Sequence, residues 1–258
     1  MPRTVIVTGS TSGIGYGIAK AFAAEGSNVV INGFGSSDEI EAARSDLDAQ
    51  GSGQVIHHGA DMARPDEITG LIEFARKTFG SVDVLVNNAG VQHVARIEDF
   101  PTGEWDRIIA INLTSSFHTM RAVIPLMKER RSGRIINIAS AHALAASPFK
   151  SAYVAAKHGI MGLTKTAALE LAEFGITVNA ICPGYVLTPL VEKQIPDTAR
   201  ERGISQEEVK SEVMLRLQAT KEFVAIEEVA ATAIFLASDA ARQITGTHIS
   251  IDGGWTAQ

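Results

Sequence analysis

The feature that most constrains this chain is an alternation. Short runs rich in β-branched residues fall at Thr4–Thr8, Asn28–Ile31, Gln54–His58, Val82–Val86, Arg134–Ile138, Thr177–Ile181 and His248–Ile251, and no two are separated by a hairpin-length gap. The gaps carry helical period at Gly15–Glu25, Ser37–Gln50, Pro65–Phe79, Gly103–Arg130 and Ser151–Phe174. Parallel strands need crossovers of a dozen or more residues, usually helical, and they are buried on both faces, so they read as nearly continuous apolar runs. The pattern therefore predicts an α/β fold: a single-domain Rossmann-type, doubly wound parallel sheet of about seven strands. A chain of 258 residues, 45% of them hydrophobic, is long enough for one full core. No repeat, low-complexity tract or linker interrupts it, so one domain is expected over 1–258.

One segment departs from the alternation. Pro189–Phe223 is highly charged and helical in period, and it delays the last strand. It is either a helical lid inserted over a substrate or a solvated surface hairpin.

Charge and cysteine content narrow the function. Lys+Arg 23 against Asp+Glu 29 gives −6, with no basic stripe to neutralise phosphates, which argues against a nucleic-acid partner. The single cysteine, Cys182, cannot form an internal disulfide and fits a reducing compartment. Met1–Val7 runs into Gly9 and Ser10 without a signal-like apolar stretch, and no apolar run reaches the roughly 18–20 residues of a membrane span. The expectation is a cytoplasmic protein with no membrane partner. His57, His58, His93 and His118 have no metal-ligand spacing, so no metal site is expected.

The first strand leads directly into Thr8-Gly9-Ser10-Thr11-Ser12-Gly13-Ile14-Gly15, and a helix follows. Glycines in that place let the backbone turn tightly, approach a pyrophosphate and pack against the strand, while the helix N-terminus offers free N–H groups and a positive dipole end. Tyr153 and Lys157 lie four apart and share a helix face. A free tyrosine titrates near 10, and a neighbouring ammonium favours the phenolate, making Tyr153 a usable acid/base. Ser140 follows the fifth strand, at the carboxyl end where such sheets place ligands, and can hydrogen-bond a reacting oxygen.

Four polar residues fall in loops at that same end: Gln92, His142, Lys150 and Gln194. Together they offer amide, imidazole and ammonium donors suited to a small anionic hydroxy or keto acid.

The spacing Gly-x-x-x-Gly-x-Gly, then Asn87-Asn88-Ala89-Gly90, Asn112, Ser140, Tyr153-Val154-Ala155-Ala156-Lys157 and Pro183-Gly184 in that order, resembles the short-chain dehydrogenase/reductase family over the whole chain. The resemblance implies catalysis by Asn112, Ser140, Tyr153 and Lys157, with Asn112 holding a proton-relaying water and Lys157 also binding the nicotinamide ribose. It implies a dinucleotide held by Gly9, Thr11, Ser12, Gly13, Ile14, Gly15 and Phe34, by Asp61 and Met62 at the adenine, and by Asn88, Ala89 and Gly90. Tyr153, Lys157, Pro183, Gly184, Val186 and Thr188 complete that set, Thr188 as the carboxamide contact. Family members are commonly tetramers built through the helices carrying Asn112 and Tyr153, which implies a homotetramer here.

Cofactor choice follows from the end of the second strand. An acidic residue there would bind the adenosine ribose of NAD, and an arginine would accept a 2′-phosphate. This chain has Asn32-Gly33-Phe34-Gly35, with no Lys or Arg between Asn32 and Arg44 and with Asp38, Glu39 and Glu41 close behind. The usual Asp is missing, yet a phosphate would meet only repulsion. NAD is expected over NADP.

One branch matches further. Asn32-Gly33-Phe34-Gly35, Gly90-Val91-Gln92-His93, Ile138-Ala139-Ser140-Ala141-His142, Leu190-Val191-Glu192-Lys193-Gln194 and Asp252-Gly253-Gly254-Trp255-Thr256 resemble bacterial D-3-hydroxybutyrate dehydrogenases. That resemblance implies reversible oxidation of (R)-3-hydroxybutyrate to acetoacetate, with Gln92, His142, Lys150 and Gln194 around the carboxylate. Tyr185 stands where this branch often has tryptophan and keeps an aromatic wall. Trp255 is either a second wall or C-terminal packing. The rival activities are reduction of acyl-carrier-protein thioesters and oxidation of some other short-chain alcohol. A cofactor-sensing binding protein would be marked by loss of Tyr153 or Lys157, and both are present.

Overall fold

The computed structural model describes residues 2–257. Seven strands form one sheet: β1 (Thr4–Val7), β2 (Asn28–Asn32), β3 (Val55–His58), β4 (Val84–Asn87), β5 (Gly133–Ile138), β6 (Ile176–Pro183) and β7 (His248–Ile251). Their spatial order is β3-β2-β1-β4-β5-β6-β7, and every pairing is parallel. The chain leaves the sheet edge after β3 and returns beside β1 as β4. The carboxyl ends of β1 and β4 therefore flank the topological switch point, where doubly wound sheets open a crevice.

The alternating strand pleat feeds two cores. Val5, Val7, Val29 and Ile31 face a layer built on α1 (Gly13–Ala24), α2 (Ser37–Asp48) and α9 (Ile226–Ala237), through Ile18, Phe22, Leu47, Val229 and Leu236. Ile6, Val30, Leu85 and Ile135 face the other way. They meet α3 (Pro65–Phe79), α5 (Ser115–Arg130) and α6 (Ser151–Leu171) through Ile68, Leu71, Met120, Val123 and Leu171. Burial on both faces explains why the strands read as apolar runs rather than as alternating ones.

Two expectations need correction. The stretch Gly103–Arg130 is not one regular helix: α4 (Thr102–Ile109) passes through a π-helical turn at Ala110–Thr114 before α5. That extra residue per turn carries Asn112, which is buried, and such insertions are common at functional sites. The stretch Pro189–Phe223 is helical only in its first part, α7 (Pro189–Arg202), α8 (Gln206–Glu208) and a π-helical turn at Val209–Met214. Nor is it a solvated hairpin, because Ile195, Val209 and Met214 pack against Tyr185 and Trp255 in a small apolar cluster. No described helix is long and apolar enough to cross a membrane.

Candidate active site

The turn between β1 and α1 is held from three sides. Ser10 N donates to Asn32 O at 2.6 Å and Gly9 N to Asn32 Oδ1 at 3.2 Å. Asn88 Nδ2 donates to Thr8 O at 2.9 Å and Gly9 O at 2.8 Å. A Cβ on Gly9 would lie 2.8 Å from Ala89 Cα, and one on Gly15 would lie 2.3 Å from Gly9 O. Gly13 shares the positive φ of Gly9 but not its crowding, since its outer side meets only the Thr188 side chain, at 3.6 Å. Ser12 caps α1 without a side-chain hydrogen bond, which leaves the first N–H groups of the helix available to an anion. This open cradle at an uncapped helix start fits the pyrophosphate of a dinucleotide.

From that turn a cavity of about 360 Å³ runs across the carboxyl ends of the strands. Thr11, Ser12, Gly13, Ile14, Phe34, Asp61, Met62, Asn88, Ala89 and Gly90 line one half, and Pro183, Gly184, Val186 and Thr188 close it from β6. Ser140, Tyr153 and Lys157 lie where this half meets the second, which is lined by Gln92, His142, Lys150, Tyr185, Gln194 and Trp255.

At the junction, Lys157 Nζ donates to Ile138 O at 2.7 Å and lies 5.5 Å from the centre of the Tyr153 ring. Ser140 Oγ accepts from His142 N at 3.1 Å, so its own proton can point into the cavity. The structure sets burial against the expected effect of Lys157 on Tyr153. Burial pushes the Tyr153 hydroxyl up to about 12, against a Ser140 hydrogen bond that pulls it down. Burial also lowers Lys157 to about 8. Desolvation is the largest influence on the Tyr153 hydroxyl.

The second half is dominated by a buried cation. Lys150, 6% exposed, donates to Gln194 Oε1 at 3.1 Å and to the Tyr185 hydroxyl at 3.3 Å. Burial, with Arg202 beside it, brings its pKa down to about 8. His142 is boxed by the rings of Tyr153, Tyr185 and Trp255, and burial holds it well below its usual pKa, hence neutral. Tyr185 and Trp255 stack with centroids 5.5 Å apart, so Trp255 is at once packing and cavity wall. Both ring nitrogens of His142 and both amide atoms of Gln92 are buried without a hydrogen-bond partner. A native interior rarely leaves polar atoms in that state.

Two expected site residues do not line the cavity. Gly15 lies beneath the turn, where only a hydrogen fits between Gly9 O and the Asn88 side chain. Asn112 faces a loop: its Oδ1 accepts from Val91 N at 2.8 Å and its Nδ2 donates to Val91 O at 2.9 Å. It thus fixes the segment that carries Gln92. Sequence reasoning missed Arg107 and Ile111, which line the cavity from α4 and the π-helical turn, because helical period alone does not show which face meets a ligand. It also missed what Asn32 does. Its Nδ2 donates to His58 O at 3.0 Å and Ala60 O at 2.9 Å, tying β2 and the residues after β3 to the glycine turn.

Comparison with known proteins agrees with this geometry. A family model described as enoyl-(acyl carrier protein) reductase matches residues 9–256. A protein of Rhizobium meliloti (strain 1021) named D-beta-hydroxybutyrate dehydrogenase is 64% identical over 258 residues, all of both chains. One of the same name from Cupriavidus necator is 56% identical over 257 residues, 99% of this chain and 98% of that one. Among solved structures, a variant of actinorhodin polyketide ketoreductase with NADPH superposes with a TM-score of 0.92 at 32% identity, covering 100% of this chain and 98% of that one. Matched by that family model over residues 9–256 and by relatives 64% and 56% identical to it, the chain belongs to the short-chain dehydrogenase/reductase family.

Proposed function

We propose that the chain catalyses the reversible, NAD-dependent oxidation of (R)-3-hydroxybutyrate to acetoacetate. One observation carries this reading: the buried Lys150 ammonium stands among unpartnered groups of Gln92 and His142, beside Ser140 and Tyr153. A small carboxylate would accept from Lys150 Nζ, from Gln92 Nε2 and from the protonated ring nitrogen of His142. Two relatives, 64% and 56% identical to this chain, are named D-beta-hydroxybutyrate dehydrogenase.

The roles follow from the contacts. Lys150 supplies the charge for the carboxylate, and Gln92, His142 and Gln194 supply neutral donors around it. Tyr185 and Trp255 wall the site. Ser140 donates its hydroxyl proton to the substrate oxygen at C3. Tyr153 takes the hydroxyl proton at Oη in oxidation and returns it in reduction. With burial pushing its hydroxyl up to about 12, Tyr153 holds the proton it gives to acetoacetate in reduction; for oxidation, Lys157 beneath its ring is the group that favours the phenolate. NAD, when bound, supplies the hydride acceptor. Thr11 to Ile14 would hold its pyrophosphate, and Asp61 and Met62 its adenine. Phe34 would lie beside the adenosine ribose, with Lys157 on the nicotinamide ribose. Asn112 acts by holding the Gly90–Gln92 loop. The segment Pro189–Phe223 is the lid, with Gln194 and Ile195 as its inner face, and it excludes water from the reacting atoms.

NAD is favoured over NADP because the residues after Asn32 bring no cation to the cavity and Asn32 has spent its amide on backbone groups. Exposed Trp105, Phe117 and Leu169 on α4, α5 and α6 support assembly into a homotetramer through those helices.

The carrier-thioester activity suggested by the family model's description fits less well. A carrier-bound acyl chain has no free carboxylate and would leave Lys150 as an uncompensated buried charge. The test is NADH formation with each enantiomer of 3-hydroxybutyrate. The reading predicts turnover with the (R) compound alone; comparable turnover of the (S) compound, or none of the (R), overturns it.

A further inference from the structure

The Tyr185 hydroxyl belongs to the carboxylate site as well as to its wall, an inference that rests on the proposed substrate. The ring is fixed from two directions. Trp255 stacks on it at an interplanar angle of 5°, and His142 meets it edge-on with centroids 6.1 Å apart. Fixed in that way, the hydroxyl reaches Lys150 Nζ at 3.3 Å, and the ammonium also lies 5.1 Å from the ring centre.

An ammonium has three donors and no acceptor, so in this contact the Tyr185 oxygen must accept. Its own proton is left over, and among the described residues no acceptor meets it. The same polarity applies across the site. Gln194 Oε1 also accepts from Lys150, and Gln194 Nε2 uses one hydrogen on Leu190 O and keeps another. Lys150 thereby consumes the acceptor sites of its neighbours and leaves their hydrogens facing inward. Around Lys150 the site becomes a face of donors, which the oxygens of an anion can meet.

We propose that Tyr185 is a substrate-binding and specificity-determining residue, its hydroxyl aimed by Lys150 and donating to the substrate carboxylate alongside Gln92, His142 and Gln194. Where tryptophan occupies this position, no oxygen can accept from the lysine, and the indole offers only its own N–H.

Tyr185→Phe removes the oxygen and keeps the wall. With wild type shown to turn over (R)-3-hydroxybutyrate, which tests the substrate reading separately, two constants are compared in wild type and variant. They are KM for the hydroxy acid and the inhibition constant of acetate, which keeps the carboxylate and lacks the reacting carbon. Loss of a hydrogen bond to a charged group should raise both about tenfold. NADH binding measured by fluorescence reports that the variant is folded. If that binding is lost, the same two constants are read in Tyr185→Leu, where they must rise at least as far. An acetate inhibition constant within twofold of wild type in the folded variant overturns the proposal.

Discussion

The two halves of the cavity are built by opposite means. The dinucleotide half is made of backbone: glycine positions that no larger residue can take, and an uncapped helix start. Its own polar side chains are consumed, Asn32 and Asn88 each tying loops together. The substrate half is made of side chains from loops after β4 and β5, the residue before α6, the end of β6 and α7. There the polar atoms of Gln92 and His142 are buried and unpartnered. The first half is a shape that any relative with the same glycines can keep while its substrate changes. The second is a chemical selection, maintained at a cost in stability because buried unpaired polar groups are unfavourable.

The largest effect should come from the junction. Tyr153→Phe is expected to lower kcat about a thousandfold or more, the scale of general acid–base catalysis, while NADH binding persists. Retention of most activity would remove Tyr153 from the chemistry. Next, Lys150→Met should raise KM for the hydroxy acid roughly a hundredfold, since a buried charge contact is lost, with little change in NAD affinity. An equal loss on both ligands would mean that the halves are not separable. The reverse substitution in the other half is Gly15→Ala, whose methyl meets Gly9 O and the Asn88 side chain. It should cost about 2 kcal/mol of stability and weaken NADH binding about tenfold, read by melting and titration, while KM for the acid changes least.

How much of this was legible before the structure differs between the halves in the same sense. The strands could be read because burial on both faces makes them apolar throughout, and the glycine turn because its chemistry is sequential. The π-helical turn around Asn112 could not be read, because a stretch of 5 residues is too short for its different period to stand out from the helices flanking it. In the substrate half the residues were identified but their relations were not. No spacing places the Tyr185 hydroxyl on Lys150, or shows that Asn112 spends its amide on Val91. The direction of the Tyr153 shift was misread for the same reason: the competing effect, burial, is a property of the packed chain.

A smaller effect sharpens the contrast further. Lys150 is depressed to about 8 by burial and by Arg202, so it is charged below that pH and neutral above it. KM for the hydroxy acid should therefore stay low up to about pH 8 and rise above it, by up to tenfold per pH unit. In Lys150→Met the rise should vanish. A wild-type KM that stays flat through pH 9.5 would place the carboxylate elsewhere.

The central claim is that buried donors select an anion. It is tested most directly by comparing kcat/KM of the wild-type protein for (R)-3-hydroxybutyrate and for its neutral amide, which has nearly the same size. A site built from hydrogen-bonding groups rejects an analogue that leaves them unpaired by about 10⁴-fold, and a preference for the acid of that order is predicted. Similar values for the two compounds would contradict the account.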